Sequence, residues 1–172
     1  MLQGNVWTLS QSQVGAEKPG AHDSLRRAAA ARFQSARFRA RIKQFASSLV
    51  GRTTSLLHLD SVLGQARRHG AHHAGVHSVP IRAIRGSEGR CDDFDADFRP
   101  LKTHNKARWI DLAAAWQRGV VLPPVELIRV GDVYFVRDGH HRISVAQAFD
   151  QEHIDAEVTV WDVRAPSPIS PS

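Results

Sequence analysis

At 172 residues with one cysteine, Cys91, the chain is long enough for one compact domain with an extension, and it can form neither an intrachain disulfide nor a cysteine-built zinc site. No run approaches the ~20 apolar residues of a membrane span, and Met1-Leu-Gln-Gly-Asn-Val-Trp7 lacks the basic-then-apolar build of a secretory signal, so a cytoplasmic protein with no membrane partner is expected. The formal charge of +6 is split: residues 1–79 hold eleven Lys and Arg against three acids, residues 80–172 twelve against fourteen, so +8 gives way to −2 and the N-terminal part is expected to face nucleic acid such as DNA, an anionic surface or an acidic partner.

Residues 1–23 lack periodicity and read as a mobile arm. Ser24 is the expected N-cap of a long helix ending near Leu49 and closed by Gly51, the start of a basic helical extension over 24–78. Phe38, Ile42, Phe45 and Leu49 fall on one face of that helix, while Phe33 falls off it, leaving the early turns to pack elsewhere or fray. Arg32, Arg37, Arg39, Arg41 and Lys43 flank the stripe and are the candidate nucleic-acid contacts, gripping phosphates rather than reading bases. Such a helix can equally pack on its own domain with a solvated charged face, or lie on a membrane surface.

A second helix is expected from the cap Asp60 to Gly70, followed by a linker containing His69, His72, His73 and His77, whose Gly and Ala spacing gives no rigid frame for a metal. From Val79 strands alternate with helices: a strand 79–84, a turn Gly86–Gly89, an acidic stretch 91–97, and a helix from about Lys106 to Arg118 with Trp109, Leu112, Ala113 and Trp116 on one face. Strands follow at 125–130 and 133–136 around the hairpin Gly131-Asp132, then a helix, a strand 154–161, and a disordered proline-rich tail over 164–172. Asp93, Asp95 and Asp97 begin like a calcium loop but lack its glycine and terminal glutamate. Cys91, among Glu88, Asp92 and Asp93, is expected to have a raised thiol pKa.

The densest chemistry is Asp138-Gly139-His140-His141-Arg142, between the apolar run Val133–Val136 and the amphipathic Ile143–Phe149. A strand turning through glycine into a helix points unpaired N–H groups at one spot, where the helix dipole favours an anion. Arg142 offers a fork that matches phosphate oxygens, and His140 and His141 can donate, accept or move a proton. Asp138 can cap the helix or hold Mg²⁺. The plainer alternative is an Asp-Gly turn with an N-cap and a solvated helix start.

These elements, with Leu122-Pro-Pro-Val-Glu-Leu127 and Phe135-Val-Arg-Asp-Gly-His-His-Arg-Ile-Ser-Val-Ala146, resemble the ParB N-terminal and sulfiredoxin superfamily over about residues 79–163. The chain closely resembles the ParB-like members, through Gly86–Arg90 and Asp93–Asp95. The resemblance implies an α+β fold, a small mixed sheet flanked by helices, here with an N-terminal helical extension. It also implies a nucleoside triphosphate, ATP or CTP, with Mg²⁺, held at Asp138, Gly139, His140, His141 and Arg142. Sulfiredoxin's reactive cysteine is replaced by His140, which excludes thiol repair. The free serine kinases of the superfamily carry Asp-Gly-His-His-Arg itself and use a glutamate after the first strand. This makes Glu88 and His141 the catalytic candidates of an alternative phosphotransferase or nucleotide hydrolase, and a metal-dependent nuclease ranks third.

Overall fold

A computed structural model of the chain describes residues 20–51, 54–64 and 66–164; most of the expected arm and nearly all of the expected tail lie outside these residues. The architecture is α+β: a six-stranded mixed sheet flanked by helices, with a long N-terminal helix. Its elements are α1 (Ala21–Leu49), β1 (Leu57–His58), α2 (Leu59–Leu63), β2 (Arg67–Pro80), β3 (Ile84–Ser87), α3 (Lys106–Gln117), β4 (Val125–Val130), β5 (Val133–Asp138), α4 (His140–Ala148) and β6 (His153–Arg164). The sheet order is β1-β3-β5-β4-β6-β2. β3 runs parallel to β1 and β5, β4 is parallel to β6, and the β4–β5 and β2–β6 pairs are antiparallel.

The parallel β3–β5 pairing carries functional weight, because parallel neighbours end on the same edge of a sheet. Ser87 registers with Val136, so the exit of β3 lies beside the turn into α4. The core joins the sheet to α4 through Val125, Leu127, Val136, Val158, Ile143 and Ala146, with Phe94 and Phe98 from the acidic loop closing its edge. A second layer packs α1, α3 and α4 through Ala29, Phe33, Trp109, Ala113 and Val145. On the opposite face of the sheet, α2 sets Leu59 and Leu63 against Ile128 and Phe135.

Several expectations are corrected. Helix α1 begins at Ala21 after Gly20, and the Ser24 hydroxyl donates to the Ala21 carbonyl at 2.7 Å instead of capping. The expected Asp60–Gly70 helix stops at Leu63, where Gly64 takes a positive φ of 52°. The histidine-rich stretch after it is strand, not linker: β2 pairs with β6 from Arg67↔Arg164 to Pro80↔His153, and this ladder supplies the backbone hydrogen bonds that local sequence does not announce. The strand expected over 79–84 is divided, Val79 and Pro80 ending β2 and a single 3-10 turn at Ile81–Ala83 leading into β3.

The largest correction concerns α1. Its buried residues are Ala29, Phe33, Ala36 and Ala40, whereas Phe38, Ile42, Phe45 and Leu49 are 65%, 53%, 70% and 75% exposed. Phe33, off the stripe, meets Trp109 edge to face at 5.5 Å between ring centres. Alanines let α1 approach α3 closely, so the face with the smaller side chains packs and the bulkier one is left outward.

Candidate functional site

The site is the first turn of α4 and what surrounds it. Gly139 has φ +103°, a conformation L side chains rarely adopt, and a Cβ there would stand 2.5 Å from Val125 Cγ1. Glycine is therefore required both by the turn and by the strand beneath it. No side chain caps α4, so its leading amides keep their unpaired dipoles.

His140 and His141 are buried, 5% and 6% exposed, and both contact Phe94: its ring stacks on His140 at 5.9 Å and meets His141 edge to face at 5.4 Å. Ser87 Oγ lies 2.7 Å from His140 Nε2 and accepts the Gly89 N–H at 3.1 Å. With its proton on Nε2, His140 donates to Ser87, whose own hydroxyl proton then reaches the Val136 carbonyl at 3.3 Å. His141 Nε2 is buried with no hydrogen-bond partner among the described residues.

Burial lowers both imidazoles to about 4. The Arg90 charge adds to this at His140, and Arg108, then Arg90, add to it at His141. Both rings are thus neutral at pH 7, able to donate and accept hydrogen bonds but not to act as cations.

Asp138 and Arg142 occupy a different side of the turn from the one the motif suggests. Arg142 donates to the carbonyls of Pro123 at 2.8 Å and Pro124 at 2.6 Å, and its Nη2 to Asp138 Oδ2 at 2.5 Å. The guanidinium is largely covered and borders a cavity of about 450 Å³ lined by Trp116, Val120, Leu122 and Ile154. Asp138 retains one free oxygen, a donor set that suits Mg²⁺ only when phosphate oxygens complete the shell.

Glu88, at the exit of β3, accepts from Arg137 Nε at 3.2 Å, so the fold brings it beside the turn. On the side facing the histidines stands a cluster that motif reading passes over. Asp93 pairs with Lys102 at 3.1 Å, His104 at 3.6 Å and Arg90 at 3.9 Å, and Arg108 opens α3 nearby. Arg90 and Lys102 pair with the Asp93 carboxylate, and Arg108 adds a further cation facing His141. The only sequence signal for it is the scatter of Arg and Lys through 90–108, which has no spacing rule.

Asp95 and Asp97 have structural partners. Asp95, fully buried, accepts the N–H groups of Asp97 at 3.0 Å and Arg99 at 2.8 Å, and Asp97 pairs with Arg99 and Lys43. Cys91 is buried, and burial first, then Asp92, raises its thiol. Of the candidate nucleic-acid contacts, Arg32 donates to the Ala148 carbonyl and lies over Phe149, Arg37 donates to the Leu101 carbonyl at 3.1 Å, and Lys43 pairs with Asp97 at 2.6 Å. Arg39 and Arg41 are exposed and make no ion pair among the described residues.

No helix among the described residues is long and apolar enough to cross a membrane. No family model matches the chain, and no curated protein sequence matches it. Among solved structures the chain is similar to the crystal structure of sulfiredoxin from Arabidopsis thaliana, at 17% identity and a TM-score of 0.38, over 48% of this chain and 82% of that one.

Proposed function

We propose that this is a ParB-like nucleotide-binding protein that holds the phosphates of a nucleoside triphosphate, ATP or CTP with Mg²⁺, at the turn from Asp138 to Arg142. The observation that carries this reading is His141 Nε2, buried without a partner in the first turn of an uncapped helix whose flank gathers Arg90, Lys102, His104 and Arg108. A buried unpaired imidazole nitrogen is costly and invites a ligand, and uncapped amides beside cations favour an anion. In this reading Gly139 keeps the turn open, His141 donates through Nε2 as a neutral ring, His140 lines the turn while donating to Ser87, Arg90 and Arg108 supply charge, and Arg142 braces the turn through the Pro123 and Pro124 carbonyls.

Glu88 favours a second reading, a phosphotransferase or nucleotide hydrolase with Glu88 as base and His141 at the transferred group; what supports it is that Glu88 follows β3 and its carboxylate accepts from Arg137, one residue before Asp138. The nuclease alternative has nothing comparable: among the described residues no group of three or more His, Cys, Asp or Glu is placed to hold a metal. For DNA association through α1, Arg39 and Arg41 are the exposed cations, while Arg32, Arg37 and Lys43 are engaged within the chain.

Calorimetric titration with ATP, CTP, ADP and GTP, each with Mg²⁺, tests the main reading. Saturable binding of one nucleotide is expected, weakened at least tenfold by Arg90→Ala or Arg108→Ala and unchanged by Arg39→Ala. A folded wild-type protein that binds none of them overturns it. If binding is found, phosphate release that disappears in Glu88→Gln selects the second reading.

A further inference from the structure

We infer that the outward face of α1 is a docking seam for a single acidic amphipathic helix of a partner protein. Phe38, Ile42, Phe45 and Leu49 are spaced four, three and four apart and are all more than half exposed. At 3.6 residues per turn they fall within roughly 60° of arc and span about 16 Å along the axis. The buried residues Ala29, Phe33, Ala36 and Ala40 repeat the same spacing about 180° away. The helix is thus two-faced: one side is fixed to α3, and the other carries larger apolar groups with nothing against them among the described residues.

The shape of this seam selects its occupant. Four residues in d-a-d-a register make a line for one helix to lie along, whereas an interfacial membrane helix or a core-facing helix carries a broader apolar arc. Small side chains at Ala46 and Ser48 leave room at its rims, and Ser35, at the a position before Phe38, ends the apolar line.

Charge then separates the remaining occupants. Arg39 and Arg41 stand at the e and g positions flanking the seam, exposed and without an ion pair among the described residues. No Asp or Glu occurs between Ser24 and Leu59. A second copy of the chain brings no acid to either rim, so Arg39 and Arg41 would stay unpaired in a dimer through this seam. A partner helix with Leu or Ile along its seam and Glu at its rims satisfies both the apolar and the basic groups, and the rim charges set which partner is chosen. This seam is independent of the nucleotide site: it lies on the face of α1 turned away from α3.

The probe is a labelled synthetic peptide of three to four heptads with Leu at a and d and Glu at e and g, titrated against the full chain by fluorescence anisotropy. A matched peptide with Lys at e and g is the control. Saturable binding of the acidic peptide alone is expected, falling at least tenfold in Phe38→Ser/Phe45→Ser and in Arg39→Glu/Arg41→Glu. The charge-reversed variant should transfer its preference to the Lys peptide. Both variants change only exposed positions, and unchanged thermal unfolding confirms that they fold. Absence of acidic-peptide binding, or binding that both variants retain, overturns the proposal. So does a dimer in sedimentation, or flotation with phosphatidylserine vesicles, that is lost in Phe38→Ser/Phe45→Ser while the acidic peptide fails to bind; these outcomes assign the seam to a second copy or to a lipid surface.

Discussion

Ser87 Oγ lies 2.7 Å from His140 Nε2, so a single hydrogen bond ties the end of β3 to the first turn of α4. Both residues are buried, and neither is near the other in sequence. The bond exists because the parallel β3–β5 register carries Ser87 to the level of Val136. Ser87→Ala removes it and also leaves the Gly89 N–H without its acceptor. A loss of about 1–3 kcal/mol is expected in urea unfolding, the range for stranding a buried polar group. An unaltered midpoint would show that the two groups find other partners.

Stability should fall as the solution is acidified from about pH 6.5 toward 4. In that window the unfolded chain binds protons at His140 and His141 while the folded chain, holding both near 4, does not, so the unfolded state gains. The upper bound is on the order of 3 kcal/mol per histidine. Asp95 works in the opposite direction near the bottom of this range, because burial raises its carboxyl and the folded state takes up that proton more readily. Melting temperature measured across pH 4–7 in the native chain and in His141→Gln checks the prediction; identical profiles would refute a role for that ring.

Gly139→Ala is expected to cost about 2–4 kcal/mol, combining backbone strain at positive φ with overpacking against Val125. Adding Val125→Ala relieves the overpacking but leaves the strain, so the double variant should be more stable than the sum of the two single changes predicts. Strict additivity would mean that the Val125 contact is not felt.

The two phenylalanines of α1 should respond in opposite ways. Phe33→Ala opens a cavity beside Trp109 and is expected to destabilise by about 3–5 kcal/mol. Phe38→Ala removes an exposed side chain and should stay within about 0.5 kcal/mol of the native chain. Chemical denaturation of both variants decides, and the reverse order would mean that the helix packs on its other face.

Trp109 Nε1 donates to Ser144 Oγ at 2.9 Å inside the contact between α3 and α4. Ser144→Ala leaves that indole N–H buried without an acceptor, with an expected loss of about 1–3 kcal/mol. Because α4 carries the candidate site at its first turn, nucleotide affinity should drop along with stability. A variant that is destabilised but binds as before would separate the packing of α4 from the geometry of its N-terminus.

Periodicity located α3, β4, β5, α4 and β6 well, since each has a strong local pattern and a glycine or proline boundary. It failed at β2, where Gly, Ala and His carry no strand preference and the ladder to β6 decides. At the candidate site, Asp138–Arg142 was legible as a motif because strand, glycine and helix follow one another in the chain. Which way each side chain points was not legible, and Arg142 turns toward Pro123 and Pro124 rather than toward the histidines.

The sequence by itself determined the helices and strands of residues 106–164, the glycine turn between β5 and α4, and the basic character of α1. These depend on neighbours a few positions apart, where spacing fixes geometry. Only the tertiary structure decided that alanines rather than phenylalanines of α1 face the core, that β2 is a strand, and that Asp93, Arg90 and Arg108 gather beside the histidines. The physical reason is common to all three: two helices approach most closely through small side chains, a strand is completed by another strand's hydrogen bonds, and a charge cluster forms where separate loops meet. None of these partners adjoins the residue in question along the chain.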